Sequence, residues 1–131
     1  MDTSASNTTG KKIVLADDEE FIVAAYKDGL EQAGYSVTVA RDGAEALQAV
    51  KNVMPDLVLL DLIMPKLNGF EVLRAIKADD STKHIPVIVL LNLSQPTDEA
   101  EARQTGALDA IVKADISLED LTERIAKIFT A

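Results

Sequence analysis

The sequence predicts a doubly wound α/β domain built on a five-stranded parallel sheet. Short runs rich in Val, Ile and Leu alternate along the chain with longer segments in which apolar residues recur at helical spacing. Strands that are apolar throughout are typical of parallel sheets, because helices cover both faces of such sheets. Right-handed crossovers leave few topologies for this alternation, and among them we expect the flavodoxin-like strand order 2-1-3-4-5.

Each strand is predicted from an apolar run and from the residues that bound it. The first run ends at a pair of aspartates, the third at one aspartate and the fifth at a lysine, while a proline precedes the fourth. The predicted strands are residues 13–16, 35–40, 57–61, 87–90 and 108–112.

The helices are predicted from helical spacing together with start and stop residues. The boundary residues are Gly34 after the first helix, Met54-Pro55 after the second, Pro65 and Pro96 at the start of the third and fourth, and Ser117 as N-cap of the last. The predicted helices are residues 18–32 or 19–32, 42–53, one opening at 65, 96–106 and 117–129. The inner face of the first is expected to consist of Phe21, Ala24, Ala25 and Leu30.

Composition restricts the classes of function. The chain has 131 residues and a formal net charge of −9, and a surface of this sign repels nucleic acid backbones. It has no cysteine, which excludes disulfides and thiolate metal sites. No apolar stretch reaches membrane-spanning length. Residues 1–10 are expected to form a disordered tail that is not a signal peptide, residues 11–131 a single domain, and the protein is expected to be cytoplasmic.

Charged residues follow three of the predicted strands. Asp17 and Asp18 follow the first, Asp61 ends the third, and Lys113 follows the fifth. The carboxyl ends of strands in open α/β sheets form the ligand crevice, so these side chains are expected to converge. Two like charges at ~4 Å cost about 4 kcal/mol at a surface-like dielectric, so such a cluster implies a cation. An all-oxygen site favours Mg²⁺ over softer metals.

Three motifs stand at the ends of the predicted strands. They are Leu15-Ala16-Asp17-Asp18-Glu19-Glu20; Leu59-Leu60-Asp61-Leu62-Ile63-Met64-Pro65 with Asn68-Gly69; and Gly106-Ala107 with Val112-Lys113. In this combination and order they resemble the receiver domain of bacterial two-component response regulators. The resemblance covers all of the predicted domain, from about Lys11 to the last residue.

The resemblance implies a chemical role for each residue at this edge of the sheet. Asp61 is expected to be the phosphoacceptor, whose carboxylate attacks a phosphohistidine and forms an acyl phosphate. Asp18 is expected to ligate Mg²⁺ directly and Asp17 largely through water. Asp61 and the backbone carbonyl of Ile63 are expected to complete the protein's ligands. Lys113 is expected to pair with the phosphoryl oxygens as a compact point charge.

The resemblance also implies the partners. We expect a single-domain, stand-alone response regulator that is phosphorylated by a sensor histidine kinase or a histidine phosphotransfer protein. Its output is expected to be a contact with a downstream protein through the fourth helix, fifth strand and fifth helix, or onward phosphoryl transfer, without nucleic acid or membrane. It is not expected to be an enzyme, since it would catalyse only its own phosphorylation and slow dephosphorylation.

Several positions depart from the family pattern. Leu91 stands where the family usually has Thr or Ser, and Ala110 where it usually has Tyr or Phe. Ala114 replaces a proline that the family holds in a cis bond, and we expect a trans bond because cis before Ala costs about 3–4 kcal/mol. Ile63 and Leu93 are apolar where side chains in the family help to orient the attacking water, so slow hydrolysis is expected.

Two other functions remain open at this stage. The first is a receiver-fold adaptor that binds its partners without phosphorylation; the loss of both switch side chains favours it, and the intact acids and Lys113 oppose it. The second is a phosphatase of the haloacid-dehalogenase type. That mechanism needs an acid two residues after the nucleophile, where this chain has Ile63.

Overall fold

A computed structural model of the chain describes residues 10–64, 68–92 and 96–130. Within them a single five-stranded parallel sheet has the order β2-β1-β3-β4-β5, which confirms the predicted fold class and topology. The strands are β1 (Lys12–Ala16), β2 (Ser36–Ala40), β3 (Leu57–Asp61), β4 (Val87–Leu91) and β5 (Asp109–Val112). The order makes β1 and β3 neighbours at the switch point of the sheet, where ligand crevices form.

Five α-helices connect and follow the strands. They are α1 (Glu20–Gln32), α2 (Gly43–Val53), α3 (Gly69–Ala78), α4 (Pro96–Thr105) and α5 (Leu118–Thr130). A 3-10 turn, Lys113–Asp115, separates β5 from α5. In the part of the chain that the structure describes, no helix combines the length and apolar character needed to cross a lipid bilayer.

The core consists of two apolar layers, one on each face of the sheet. Alternate residues of each strand point to opposite faces, so β1 sends Ile13 and Leu15 to one layer and Val14 and Ala16 to the other. Helices α1 and α5 cover the first layer, and α2, α3 and α4 cover the second. All five residues of β3 and of β4 are buried, and so are the last four residues of β1. Burial on both faces explains why these strands are apolar without alternation.

The prediction of which face of the first helix points inward is wrong, because the buried face is rotated about the helix axis from the predicted one. Phe21 is 91% exposed, and Ala24 and Ala25 are exposed as well, whereas Val23, Tyr26 and Leu30 are buried. Only Leu30 was assigned correctly. Both sets of residues recur at helical spacing, and the large Phe21 side chain favoured the wrong one.

The predicted start of the third helix at Pro65 is not where α3 begins, and Pro65 itself lies outside the described residues. Helix α3 begins at Gly69, after an N-cap at Asn68 whose side chain accepts from the Glu71 N–H in a capping box. A Cβ at Gly69 would lie 2.4 Å from Leu62 Cα and 2.6 Å from the Asp61 carbonyl oxygen. Glycine therefore lets α3 begin directly against the end of β3.

Most other boundaries agree within one or two residues. Strand β5 begins at Asp109 rather than at residue 108, and Leu108 is half exposed. The Asp120 N–H donates to the Ser117 hydroxyl oxygen, as the predicted N-cap requires. The expected tail lies outside the described residues apart from Gly10, whose N–H donates to the Gly34 carbonyl.

Candidate functional site

The carboxyl edge of the sheet brings Asp17 and Asp61 to adjacent strands. Strands β1 and β3 pair with Ala16 opposite Leu60, so Asp17 and Asp61 occupy the next position on each. Both carboxylates are buried, and so is the Lys113 ammonium, which follows β5. The sheet order places Lys113 two strands from Asp61, a gap that its four-carbon side chain spans. The structure thus brings together three of the four functional side chains predicted from sequence.

Lys113 is held by three carboxylates. Its Nζ donates to Asp17 Oδ2 at 2.8 Å and to Glu19 Oε1 at 2.7 Å. The third partner, Asp61 Oδ2, is more distant at 3.5 Å. An ammonium has three N–H donors, so every donor of Lys113 has a carboxylate acceptor. The lysine is therefore bound most closely by the acids that flank the predicted phosphoacceptor.

The acidic group that the structure assembles differs in one member from the predicted set. Asp17, Glu19 and Asp61 each offer an oxygen within 4.8 Å of the others. Asp18 is exposed and is not one of them. Asp17 is fixed in place because its Oδ1 accepts from the Glu19 backbone N–H at 2.9 Å. Asp18 does not cap α1 either, since Glu19 occupies the N-cap position.

Glu19 is the member of this group that the sequence pattern does not predict. It lies within the quoted acidic motif, but the expected direct ligand was its neighbour Asp18. Its carboxylate enters the group because Lys113 reaches it from the far side of the sheet. No spacing rule reveals such a contact between residues 94 positions apart.

The backbone after β3 also contacts the Asp61 carboxylate. The Ile63 N–H donates to Asp61 Oδ1 at 3.1 Å, while the Ile63 side chain is 70% exposed. The Ile63 backbone thus lies beside the carboxylate through its N–H, while the role of its carbonyl as a metal ligand stays a prediction. Its side chain presents apolar surface at the rim.

Burial and neighbouring charges together leave the pKa values of both Asp61 and Lys113 above their ordinary values. Burial raises the pKa of the Asp61 carboxyl from 3.8 to about 6, against the opposing effects of the Ile63 N–H and of Lys113. Burial alone would lower the pKa of Lys113, but its hydrogen bonds to Asp17 and Glu19 hold that pKa above its ordinary value. At neutral pH Lys113 is thus fully charged and Asp61 is mostly ionised.

The other side of Asp61 is apolar. A cavity of about 210 Å³ adjoins it, lined by Asp61, Leu62, Ile63, Leu90, Leu91, Asn92 and Asp98. Leu91, the substitute for the usual hydroxyl, is 4% exposed and packs in the layer under α2, α3 and α4. Leu93, the other predicted rim residue, lies outside the described residues. Water approaching Asp61 from this side meets mostly hydrocarbon, with Asn92 and Asp98 as the other polar residues of the lining.

The two remaining departures lie on β5 and just beyond it. Ala110 is half-buried on β5, opposite Val89 of β4. Ala114 is exposed, and the described peptide bonds are all trans, which confirms the expectation for the bond before it.

The face formed by α4, β5 and α5 carries an ion-pair network. The two carboxylate oxygens of Asp109 accept from different helices, one from Arg103 at 3.1 Å and the other from Arg124 at 3.0 Å. Each pair is substantially exposed and contributes little stability. The network still fixes the relative positions of charges on this face, where the output contact was expected.

The residues at the sheet edge suit two kinds of chemistry. Asp61 offers a carboxylate oxygen as a nucleophile, and Lys113 offers a buried positive charge beside it. Three carboxylates against one ammonium leave two uncompensated negative charges, which match a divalent cation. The donors are all oxygens, so a hard ion fits them and a thiophilic ion does not.

Comparison with known proteins was made for both the sequence and the fold. The family model of the response regulator receiver domain matches residues 13–126. The polar-differentiation response regulator DivK of Brucella anthropi is 34% identical over 115 residues, which cover 88% of this chain and 93% of that protein.

Solved structures give the same picture. The Francisella response regulator 1452 receiver domain superimposes with a TM-score of 0.84 at 29% identity, covering 92% of this chain and 98% of that chain. The Mn²⁺-bound form of response regulator Rcp1 superimposes with a TM-score of 0.76 at 28% identity, covering 90% of this chain and 91% of that chain.

Proposed function

Because the chain belongs to the response regulator receiver domain family, we propose that it is phosphorylated on Asp61 in a Mg²⁺-dependent reaction and signals through protein contacts. One observation carries the proposal. The buried Asp61 carboxylate, at the end of the central strand β3, has the Lys113 ammonium at 3.5 Å and two further acids within 4.8 Å. Phosphoryl transfer needs this combination of positioning and charge neutralisation more than covalent chemistry from other side chains.

The proposed reaction starts from a phosphohistidine on a sensor kinase or on a histidine phosphotransfer protein. An Asp61 carboxylate oxygen attacks phosphorus as the P–N bond breaks, and the departing imidazole takes up a proton. Lys113 then pairs with the oxygens of the new acyl phosphate. Burial keeps bulk water from Asp61, and the Ile63 N–H holds the carboxylate oxygen that is not attacking.

The donor set fits the proposed metal. Asp17 and Asp61 are the buried carboxylates of the acidic group that would hold Mg²⁺. Asp18, which is exposed and lies outside that group, and the Ile63 backbone carbonyl are proposed as further ligands from the family pattern. When bound, a divalent cation neutralises the charge that develops on the transferred oxygens. The similarity to Rcp1, which has a Mn²⁺-bound form, supports this assignment.

The proposed output is a contact with another protein, made in the cytoplasm. The face of α4, β5 and α5 is the proposed contact surface, and its charged residues Arg103, Asp109 and Arg124 make it polar. Its partners are then expected to present complementary charge rather than a large apolar patch.

Intact mass measurement tests the proposal. After incubation with acetyl phosphate and Mg²⁺, the chain should gain one phosphoryl group, and the gain should disappear when EDTA replaces Mg²⁺. An absence of any gain, under conditions that label an ordinary receiver, would reject phosphorylation.

A second candidate function is that of an adaptor of the same fold which acts without phosphorylation. Leu91 and Ala110 favour it, because the side chains that usually move together on phosphorylation are missing. The mass measurement separates the two candidates, since an adaptor of this kind gains no phosphoryl group.

Magnesium should also stabilise the protein. A cation that binds only the folded state adds RT ln(1 + [L]/Kd), which is about 1.4 kcal/mol at ~10 mM Mg²⁺ for a Kd of order 1 mM. The melting temperature should rise by roughly 3–6 °C. Asp18→Ala should abolish the rise, and Asp80→Ala, which removes an exposed acid that pairs with Lys83, should preserve it. A rise that survives Asp18→Ala would remove Asp18 from the ligand set.

A further inference from the structure

The Glu19 side chain differs from the other two partners of Lys113 in its freedom to move. Asp17 is fully buried, and both of its oxygens are engaged, one by Lys113 and one by a backbone N–H. Asp61 is buried at the end of a central strand. The Glu19 side chain is 46% exposed, yet it makes the shortest of the three contacts, at 2.7 Å.

A phosphoryl group on Asp61 needs a donor that Lys113 already uses. All three N–H donors of its ammonium have carboxylate acceptors in this structure. The donor that Lys113 directs at Asp61 Oδ2 can pass to a phosphoryl oxygen, but a second charge-assisted hydrogen bond from Lys113 to the phosphoryl group requires another acceptor to leave. The long contact to Asp61 is the weakest of the three, and Glu19 is the only one of the two close partners with a route into solvent.

We propose that Glu19 is a latch that holds Lys113 away from Asp61 in the unphosphorylated protein and exchanges places with the incoming phosphoryl group. This inference rests on the proposed function and makes Glu19 a positioning residue that acts through Lys113. The exchange is nearly neutral in charge, since Lys113 trades one anionic oxygen for another. The contact between Glu19 and Lys113 in the unphosphorylated protein therefore slows phosphorylation and lowers the phosphorylated fraction.

Three variants separate the effect of the contact between Glu19 and Lys113 from the effect of the negative charge on Glu19. Glu19→Gln removes the negative charge and keeps the length of the side chain. Glu19→Asp keeps the charge but shortens the side chain by one methylene, which takes the carboxylate out of reach of Lys113. Glu20→Gln removes the same charge from the neighbouring residue, which is 83% exposed and pairs with Arg41. Glu19 makes no side-chain cap of α1, so neither Glu19 substitution removes a cap from the helix.

The phosphorylation rate with acetyl phosphate and Mg²⁺, followed by intact mass, is the first measurement. Both Glu19 variants should be phosphorylated about tenfold faster than the wild type, and Glu20→Gln should match the wild type. A faster Glu19→Gln with an unchanged Glu19→Asp would show a charge effect and overturn the latch. Equal phosphorylation rates in the wild type and all three variants would also overturn the latch. The proposed function would stand, because every protein would still be phosphorylated.

The second measurement does not depend on activity. The Lys113 ammonium signal in ¹⁵N NMR of the metal-free protein, identified by its loss in Lys113→Arg, should exchange protons slowly in the wild type. Exchange should be faster in Glu19→Gln and Glu19→Asp than in Glu20→Gln. If the Lys113 ammonium protons exchange at the same rate in the Glu19 variants as in the wild type, the contact between Glu19 and Lys113 is overturned. No phosphorylation of any variant would reject the proposed function, and the latch with it.

Discussion

Asp61→Asn should gain no phosphoryl group from acetyl phosphate and Mg²⁺, while Asp56→Asn should gain one as the wild type does. Asparagine has no anionic oxygen to attack phosphorus, so the loss should be complete. Asp56 is the matched control, because it stands at the opposite end of the same strand, where it accepts from the Lys12 N–H. Equal labelling of Asp61→Asn and the wild type would place the modification on another residue.

The same substitution should stabilise the metal-free protein at neutral pH. The folded pKa of Asp61, about 6, lies above its ordinary value of 3.8, so the folded state binds this proton more tightly than the unfolded chain does. Stability is therefore lost as pH rises from about 4 through 6, and a shift of about two units corresponds to about 3 kcal/mol above that window. Asparagine carries no such penalty, although it also loses the attraction of Lys113.

Thermal unfolding in EDTA at two pH values checks this effect. At pH 7.5, Asp61→Asn should melt above the wild type by up to roughly 10 °C. The difference should largely disappear near pH 4, where Asp61 is protonated in the folded state and partly protonated in the unfolded chain, in which its pKa is 3.8. A variant that is less stable than the wild type at pH 7.5 would show that the contact with Lys113 outweighs the burial of the charge.

The strands and their order could be predicted because burial on both faces leaves a strong sequence signal. Residues such as Leu59 and Leu60 point to opposite faces of the sheet and are both fully buried, so the run is apolar throughout. The positions of Asp17, Asp61 and Lys113 followed directly, because each comes at the end of such a run. The topology alone then brings them to one edge.

Details that depend on packing in three dimensions could not be predicted in the same way. Two stripes of α1 have helical spacing, and only the sheet decides that Val23 and Tyr26, rather than Phe21, face inward. The start of α3 is set by the close approach of Gly69 to Leu62, although Asn68 and Glu71 do carry a capping-box signal. The place of Glu19 in the site depends on a lysine that reaches it from another strand.

Leu91→Thr should speed phosphorylation by roughly ten- to a hundredfold. A hydroxyl at this position would donate a charge-assisted hydrogen bond of about 1.5–3 kcal/mol to the phosphoryl group, and about 1.4 kcal/mol is a factor of ten in rate. Leu91 lines the cavity beside Asp61, so a hydroxyl there would face the reacting group. Leu91→Val is the matched control, because valine has the shape of threonine without the hydroxyl and removes the same packing. Equal rates for the two variants would show that Leu91 does not limit phosphorylation.

The apolar rim should also prolong the life of the phosphoryl group. Leu91 and the 70% exposed Ile63 line the cavity at Asp61, and neither side chain can orient a water for attack on phosphorus. Ile63→Asn should therefore mainly accelerate loss of the label, while Ile63→Leu should leave it unchanged. Intact mass at timed intervals after removal of the phosphodonor measures both. Rapid hydrolysis of the acyl phosphate in the wild type would contradict the proposal that the apolar rim protects it. Slow hydrolysis in the wild type and in Ile63→Leu, with fast hydrolysis in Ile63→Asn, would assign the long lifetime to the exclusion of ordered water from Asp61.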